Sequence, residues 1–252
     1  MKQILARANI AVLHRFVHPD TLFAFDYDGT LAPIVADPAR ARMRRSTHEL
    51  LASVARRYAT IVITGRRRDD ASRLLAGIDL REIIGNHGAE TAAAPPRSAV
   101  RRVAAWHDEL RTRLERTAGV VIEDKGFSLA IHYRACANPA AAGAKIRKIA
   151  ESLRGARLVG GKYVINVVAD DAADKGAALL RTWGRLRSPR AVYVGDDDTD
   201  ESVFGLGQPH RLLSVRVGVR PSSRAAYALR DQGEIDRLLA VIAAGSEDRI
   251  SR

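Results

Sequence analysis

Residues 21–34 read Thr-Leu-Phe-Ala-Phe-Asp-Tyr-Asp-Gly-Thr-Leu-Ala-Pro-Ile, and this stretch decides the fold. An unbroken apolar run over 21–25 stops at a carboxylate, Asp26. A second carboxylate, Asp28, follows two residues on, then a Gly29-Thr30 turn. A short apolar run of this kind is the mark of a strand buried on both faces of a parallel sheet. The two acids then fall in the loop at the carboxyl end of the strand, where open α/β sheets collect their ligands. Taken alone, Asp-x-Asp-Gly-Thr also suits a surface turn, because Asp and Gly are ordinary loop residues. The rest of the chain weighs against that reading.

Similar runs recur at 60–63 before Thr64, at 191–194 before Gly195, and at 212–217. Helical spacing separates them at 47–58, 68–75 and 175–186. Strand, polar loop and helix in repetition predict a parallel sheet flanked by helices. The middle of the chain reads differently. After an Ala/Pro linker at 91–96 come a helix over 98–116, strands at 120–122 and 128–133, and a helix over 140–153. A Gly160-Gly161 hairpin signal then lies between strands at 157–159 and 163–168. The expected organisation is an α/β core of residues 1–91 and 171–252, with an inserted α+β domain at 92–170. The crossings near 92–96 and 169–173 are the expected hinges. The first 20 residues space their apolar positions as an amphipathic helix.

Three further clusters fall at element boundaries. Thr64-Gly65-Arg66 offers a hydroxyl and a bare Gly amide suited to phosphate oxygens. Asp174-Lys175-Gly176 opens a helix with an ammonium able to neutralise a phosphoryl group. Gly195-Asp196-Asp197-Asp198-Thr199-Asp200 puts four acids in five residues, which repel one another unless a divalent cation with oxygen ligands sits among them.

In this order and at these boundaries the four clusters resemble the haloacid-dehalogenase (HAD) phosphohydrolases. The resemblance implies a HAD-type Rossmann-like core with an inserted α+β cap, and phosphoryl transfer through an aspartyl-phosphate. It implies Asp26 as nucleophile and Asp28 as general acid and base. Mg2+ would be held by Asp26, the Asp28 carbonyl and Asp196, with Asp197 and Asp200 behind them. Gly29, Thr64, Gly65 and Lys175 would hold the phosphoryl oxygens. The chemistry is coherent: a cation offsets the charge of a phosphomonoester, and a covalent intermediate divides one hard displacement into two easier ones.

The likeness narrows to the trehalose-6-phosphate phosphatases. It is carried by Phe25-Asp-Tyr-Asp-Gly-Thr-Leu-Ala-Pro-Ile34, Gly85-Asn-His-Gly-Ala-Glu90, the stretch from Glu123 to Arg134, and the acidic run at 195–201. It implies hydrolysis of trehalose 6-phosphate, with Glu123, Lys125 and Arg134 as sugar contacts. These residues suit a disaccharide, a dense array of hydroxyls that needs both acceptors and donors. One departure stands out. Where the family has a Glu on the last strand of the insertion, Gly161-Lys-Tyr-Val-Ile-Asn166 carries Asn166, also expected to touch sugar. His132 reads as structural; His87, between glycines, suits a substrate contact or a structural role on a tight turn equally.

Composition limits the alternatives. The 252 residues hold 41 Lys and Arg against 29 Asp and Glu, a net charge of +12. The arginines are scattered and aromatics make up only 5%, so no base-stacking platform for nucleic acid is expected. A single cysteine, Cys136, excludes an intramolecular disulfide framework. No apolar run reaches membrane-spanning length, and Arg7 and Asn9 interrupt any signal-peptide core, so a cytoplasmic protein is expected. The expected partner is a small sugar phosphate; the sequence specifies no oligomeric state. Other readings are a HAD phosphatase for sucrose phosphate, glucosylglycerol phosphate or a phosphorylated mannosyl acid, and a non-catalytic sugar-phosphate-binding domain.

Overall fold

The structure, a computed structural model, describes residues 1–35, 40–93, 97–161 and 163–245. Part of the expected hinge at 92–96, and Lys162 of the expected hairpin, lie outside them. The chain forms two compact units, Met1–Thr91 with Ala173–Arg252, and Ala92–Ala172.

Among the described residues of the first unit, seven strands form one wholly parallel sheet. They are β1 (Lys2–Gln3), β2 (Thr21–Phe25), β3 (Thr60–Ile63), β4 (Glu82–Ile84), β9 (Arg190–Gly195), β10 (Leu212–Val217) and β11 (Tyr227–Leu229). Their order is β1-β11-β10-β9-β2-β3-β4. Strand periodicity sends alternate side chains to opposite faces. Phe23, Phe25, Val62, Val192, Val194, Val215 and Val217 enter one core with α1 (Ile10–Phe16), α2 (Arg45–Arg57) and α8 (Ile235–Ala244). Leu22, Ala24, Ile61, Ile63 and Tyr193 enter the other, against α6 (Lys175–Leu186) and α7 (Glu201–Phe204). Between β3 and β4 runs α3 (Arg68–Leu74).

The expected strands at 21–25, 60–63 and 212–217 form at those bounds, and the one at 191–194 gains a residue at each end. The N-terminus departs from expectation. Lys2–Gln3 pairs with β11, and the helix begins only at Ile10. A two-residue strand carries no periodicity; its partner, 225 residues away in sequence, makes it.

The second unit is an antiparallel sheet with two helices on one face. Among its described residues the strand order is β5 (Val121–Asp124), β6 (Ser128–His132), β8 (Val164–Ala169), β7 (Ala156–Gly161). The helices α4 (Arg97–Leu114) and α5 (Pro139–Ala150) cover Leu129, Ile131, Ile165 and Val167. The opposite face carries the alternate residues, among them Glu123, Ser128, His132 and Asn166. Successive registers set Glu123, Ala130, Asn166 and Val159 in one row across all four strands.

Candidate active site

Strand order locates the site before any side chain is considered. After β2 the chain builds β3 and β4 on one side, then β9, β10 and β11 on the other. The strands beside this reversal, β2 and β9, deliver Asp26 and Asp196, and a reversal of this kind opens a crevice at the carboxyl ends. The Asp26 N–H continues the ladder past β2 by donating to Val194 O at 2.9 Å.

The centre is a buried ammonium among carboxylates. Lys175, 1% exposed, opens α6, whose cap Asp174 accepts the Ala177 N–H at 2.8 Å. Its Nζ stands 2.8 Å from Asp200 Oδ1, 3.1 Å from Asp26 Oδ2 and 3.8 Å from Asp197 Oδ1. Burial works against the charge on Lys175, but Asp197, Asp200 and Asp26 outweigh it and hold the ammonium firmly protonated. Asp26 is pushed well above the ordinary carboxylate range by burial and by Asp200, Asp197 and Asp196, with Lys175 opposing.

The acidic loop after β9 is tied internally. Asp200 Oδ1 accepts from Lys175 and from the Tyr193 hydroxyl at 2.6 Å; its Oδ2 accepts the N–H groups of Asp196 and Asp197 at 2.8 and 2.9 Å. Asp197 Oδ1 takes the N–H and hydroxyl of Thr199. Buried Arg216 on β10 closes the loop, donating to the carbonyls of Asp196 and Asp197 and to Glu201. Asp196 accepts the Thr30 hydroxyl at 3.1 Å, and burial with Asp200 and Asp197 pushes it up to about 7. Gly29, at φ +83°, lies against the Asp196 carboxylate, and any side chain there would collide with it. Carboxylate oxygens of Asp26, Asp196 and Asp200 lie within 4.8 Å of one another. This all-oxygen, mutually repelling set fits a hard divalent cation. The four hydrogen bonds already made by Asp200 suit it to orienting the set, leaving Asp26 and Asp196 as the better donors.

Thr64 follows β3, buried, its Oγ1 accepting the Arg66 N–H at 3.2 Å. Gly65 lies under the His87 imidazole, where no side chain fits. Asp28 stands apart from the acidic cluster: Arg66 Nε and Nη2 donate to its two oxygens at 2.7 and 2.6 Å.

In the second unit Glu123 and Asn166 share the row already described, and Asn166 Nδ2 donates to Val159 O at 3.4 Å. Lys125 lies in the β5–β6 turn, whereas Arg134 lies beyond the far end of β6, its guanidinium 5.6 Å from the Tyr163 ring centre. His132, read above as structural, faces the same side as Glu123 and lies 3.0 Å from its carboxylate. Sequence reasoning also passed over Arg66, Tyr193 and Arg216. Arg66 stood within the Thr64-Gly65-Arg66 cluster without a role of its own, and Arg216 carried a signal as a charge inside the apolar strand Leu-Leu-Ser-Val-Arg-Val, which must be paired if buried.

Fold and site together define a haloacid-dehalogenase-type protein: a parallel sheet, acids at the switch point, and a separate antiparallel unit. A solved structure of the C-terminal domain of Candida albicans trehalose-6-phosphate phosphatase shares the fold, with a TM-score of 0.78 at 22% identity, covering 94% of this chain and 97% of that one. The chain belongs to the trehalose-phosphatase family, whose sequence profile matches residues 24–232. The trehalose-phosphate phosphatase of Mycobacterium tuberculosis is 33% identical over 226 residues, 81% of this chain and 56% of that protein. A rice protein named "Probable trehalose-phosphate phosphatase 3" is 30% identical over 250 residues, 85% of this chain and 67% of its own length. The chain thus spans between half and two thirds of these relatives. No helix among the described residues is long and apolar enough to cross a membrane.

Proposed function

We propose that this protein is a Mg2+-dependent phosphatase that releases trehalose and phosphate from trehalose 6-phosphate by way of an aspartyl-phosphate. The observation that carries the reading is Asp26, at the sheet reversal, sharing Lys175 with Asp200 and lying within 4.8 Å of Asp196, in a chain of the trehalose-phosphatase family. Asp26, Asp196 and the Asp28 carbonyl would hold Mg2+, which supplies charge neutralisation and alignment of the phosphoryl group. Lys175 and the Thr64 hydroxyl hold phosphoryl oxygens, and the bare backbone at Gly29 and Gly65 lets them approach. Asp28 moves the proton, first to the leaving oxygen and then from the attacking water. Asp197 and Asp200 orient Asp196 and Lys175 through the contacts already described.

The second unit serves as cap in this reading, with the Glu123–Asn166 row meeting the sugar and Lys125 and Arg134 flanking it. One observation favours a wider sugar range. Asn166 offers one acceptor where a Glu would offer two oxygens on a longer stem. Cytoplasmic location follows the sequence reading. Phosphate release from trehalose 6-phosphate, sucrose 6-phosphate, glucosylglycerol phosphate and glucose 6-phosphate, each with Mg2+ and with a chelator, tests the proposal. Metal-dependent turnover highest on trehalose 6-phosphate is expected. Chelator-insensitive turnover, or none on any ester, would overturn it.

A further inference from the structure

Arg66 has no part in the chemistry set out so far. Its guanidinium takes Asp28 in a two-pronged fork of 2.6 and 2.7 Å, is 14% exposed, and lies 5.3 Å from the centre of the fully buried Tyr27 ring. The Asp28 side chain is 37% exposed, so its outer side is open to a ligand. In such a fork both oxygens of the carboxylate are taken up as acceptors. A phosphomonoester presents the same two-oxygen edge with more charge, and guanidinium forks bind either anion in this geometry.

We propose that Arg66 exchanges partners during the reaction, passing from Asp28 to the phosphoryl group of the substrate and so releasing Asp28 for proton transfer. This rests on the reading of Asp28 as the acid and base. The Tyr27 ring keeps the guanidinium in place, so the anion changes and the cation stays. Once released, Asp28 faces the leaving oxygen as the acid that the proposed function assigns to it. In the first displacement a bond forms between an Asp26 oxygen and phosphorus as the bond from phosphorus to the sugar oxygen breaks; the Asp28 proton goes to that oxygen. In the second, water attacks phosphorus and gives its proton to Asp28 while the bond to Asp26 breaks. Phosphate departs and Arg66 regains Asp28. Coupling the pair to phosphoryl binding keeps the acid paired until an ester is present.

The test is binding of inorganic phosphate, with Mg2+ present, measured by calorimetry on the full chain as wild type, Asp28→Asn, Arg66→Met and the double variant. Removing the competing carboxylate should tighten phosphate about threefold to tenfold in Asp28→Asn, and Arg66→Met should weaken it at least about tenfold. In the Arg66→Met background the Asp28→Asn change should then tighten binding by less than about twofold. The same tightening in both backgrounds would mean that Asp28 acts by charge alone, and would overturn the exchange. So would unchanged affinity in Arg66→Met. Arg66→Lys, which keeps the charge but not the fork, stands in if Arg66→Met fails to fold, with an intermediate loss expected and wild-type affinity excluded. A wild type that binds no phosphate and hydrolyses no sugar phosphate would fell the phosphatase reading itself, and the exchange with it.

Discussion

The two units carry their polar groups in opposite ways. At the carboxyl ends of β2 and β9, Lys175 and Asp200 are almost wholly buried, and each known acceptor oxygen of Asp200 is already engaged. On the sheet of the second unit, Glu123 and His132 remain about two fifths exposed and meet through one contact. The first arrangement is rigid because like charges packed in a dry site are tolerable only when each is held against a counter-charge or donor. The second is more open to solvent at Glu123 and His132, although Asn166 and Ser128 on the same face are buried. Chemistry on phosphorus needs charge fixed beforehand. Recognition of hydroxyls needs donors and acceptors within reach, and Asn166, though buried and bonded to Val159 O, shares the row of Glu123.

The contrast breaks first at Asp26. Asp26→Asn should lower kcat at least about a thousandfold with the far-ultraviolet dichroism unchanged, because an amide does not attack phosphorus. Residual turnover near wild type would remove the covalent route. Rigidity is tested next. Lys175→Met leaves Asp26 and Asp200 buried without their cation and should cost about 3–5 kcal/mol. In a chain of this size that lowers Tm by roughly 10 °C. A Tm within a degree of wild type would mean the acids relax easily, and the contrast between the units would fail.

The second unit is tested at Asn166. Asn166→Glu should lower KM for trehalose 6-phosphate about tenfold to a hundredfold, with kcat and the glucose 6-phosphate reaction nearly unchanged. Equal change on both substrates would remove Asn166 from the sugar face. The smallest effect belongs to a carboxylate outside both regions, Asp236 on α8, which accepts from Arg44 just before α2 and from Ser46 and Thr47 in its first turn. Burial acts to raise it, but those donors prevail and hold it below the usual range. Its contribution, about 1–2 kcal/mol, is present above the unfolded value near pH 4 and is lost as pH falls through the lower folded one. Asp236→Asn should therefore lower Tm at pH 6, with the gap to wild type narrowing as pH falls below about 4, read by calorimetry.

The amino-acid pattern alone was enough for the strands at 21–25, 60–63 and 212–217, because a strand buried on both faces is apolar throughout and needs no knowledge of its neighbours. It also sufficed to set Asp26 and Asp196 at strand ends. It did not yield β1, β4 or β11, which at two or three residues are strands only through their pairing. Nor did it reveal what each acid does within the cluster. The four acids of the run Asp196 to Asp200 are alike as a sequence. Folding turns it into a gradient, with Asp200 saturated by four donors, Asp197 engaged with Thr199, and Asp196 pressed against Gly29 and pushed to about 7. The fork of Arg66 on Asp28 spans 38 residues, and the row from Glu123 to Asn166 spans 43. Residue type and local spacing determined which chemistry this chain can hold. Which carboxylate meets which cation depends on distances across the sheet, and those exist only once the strands have been laid side by side.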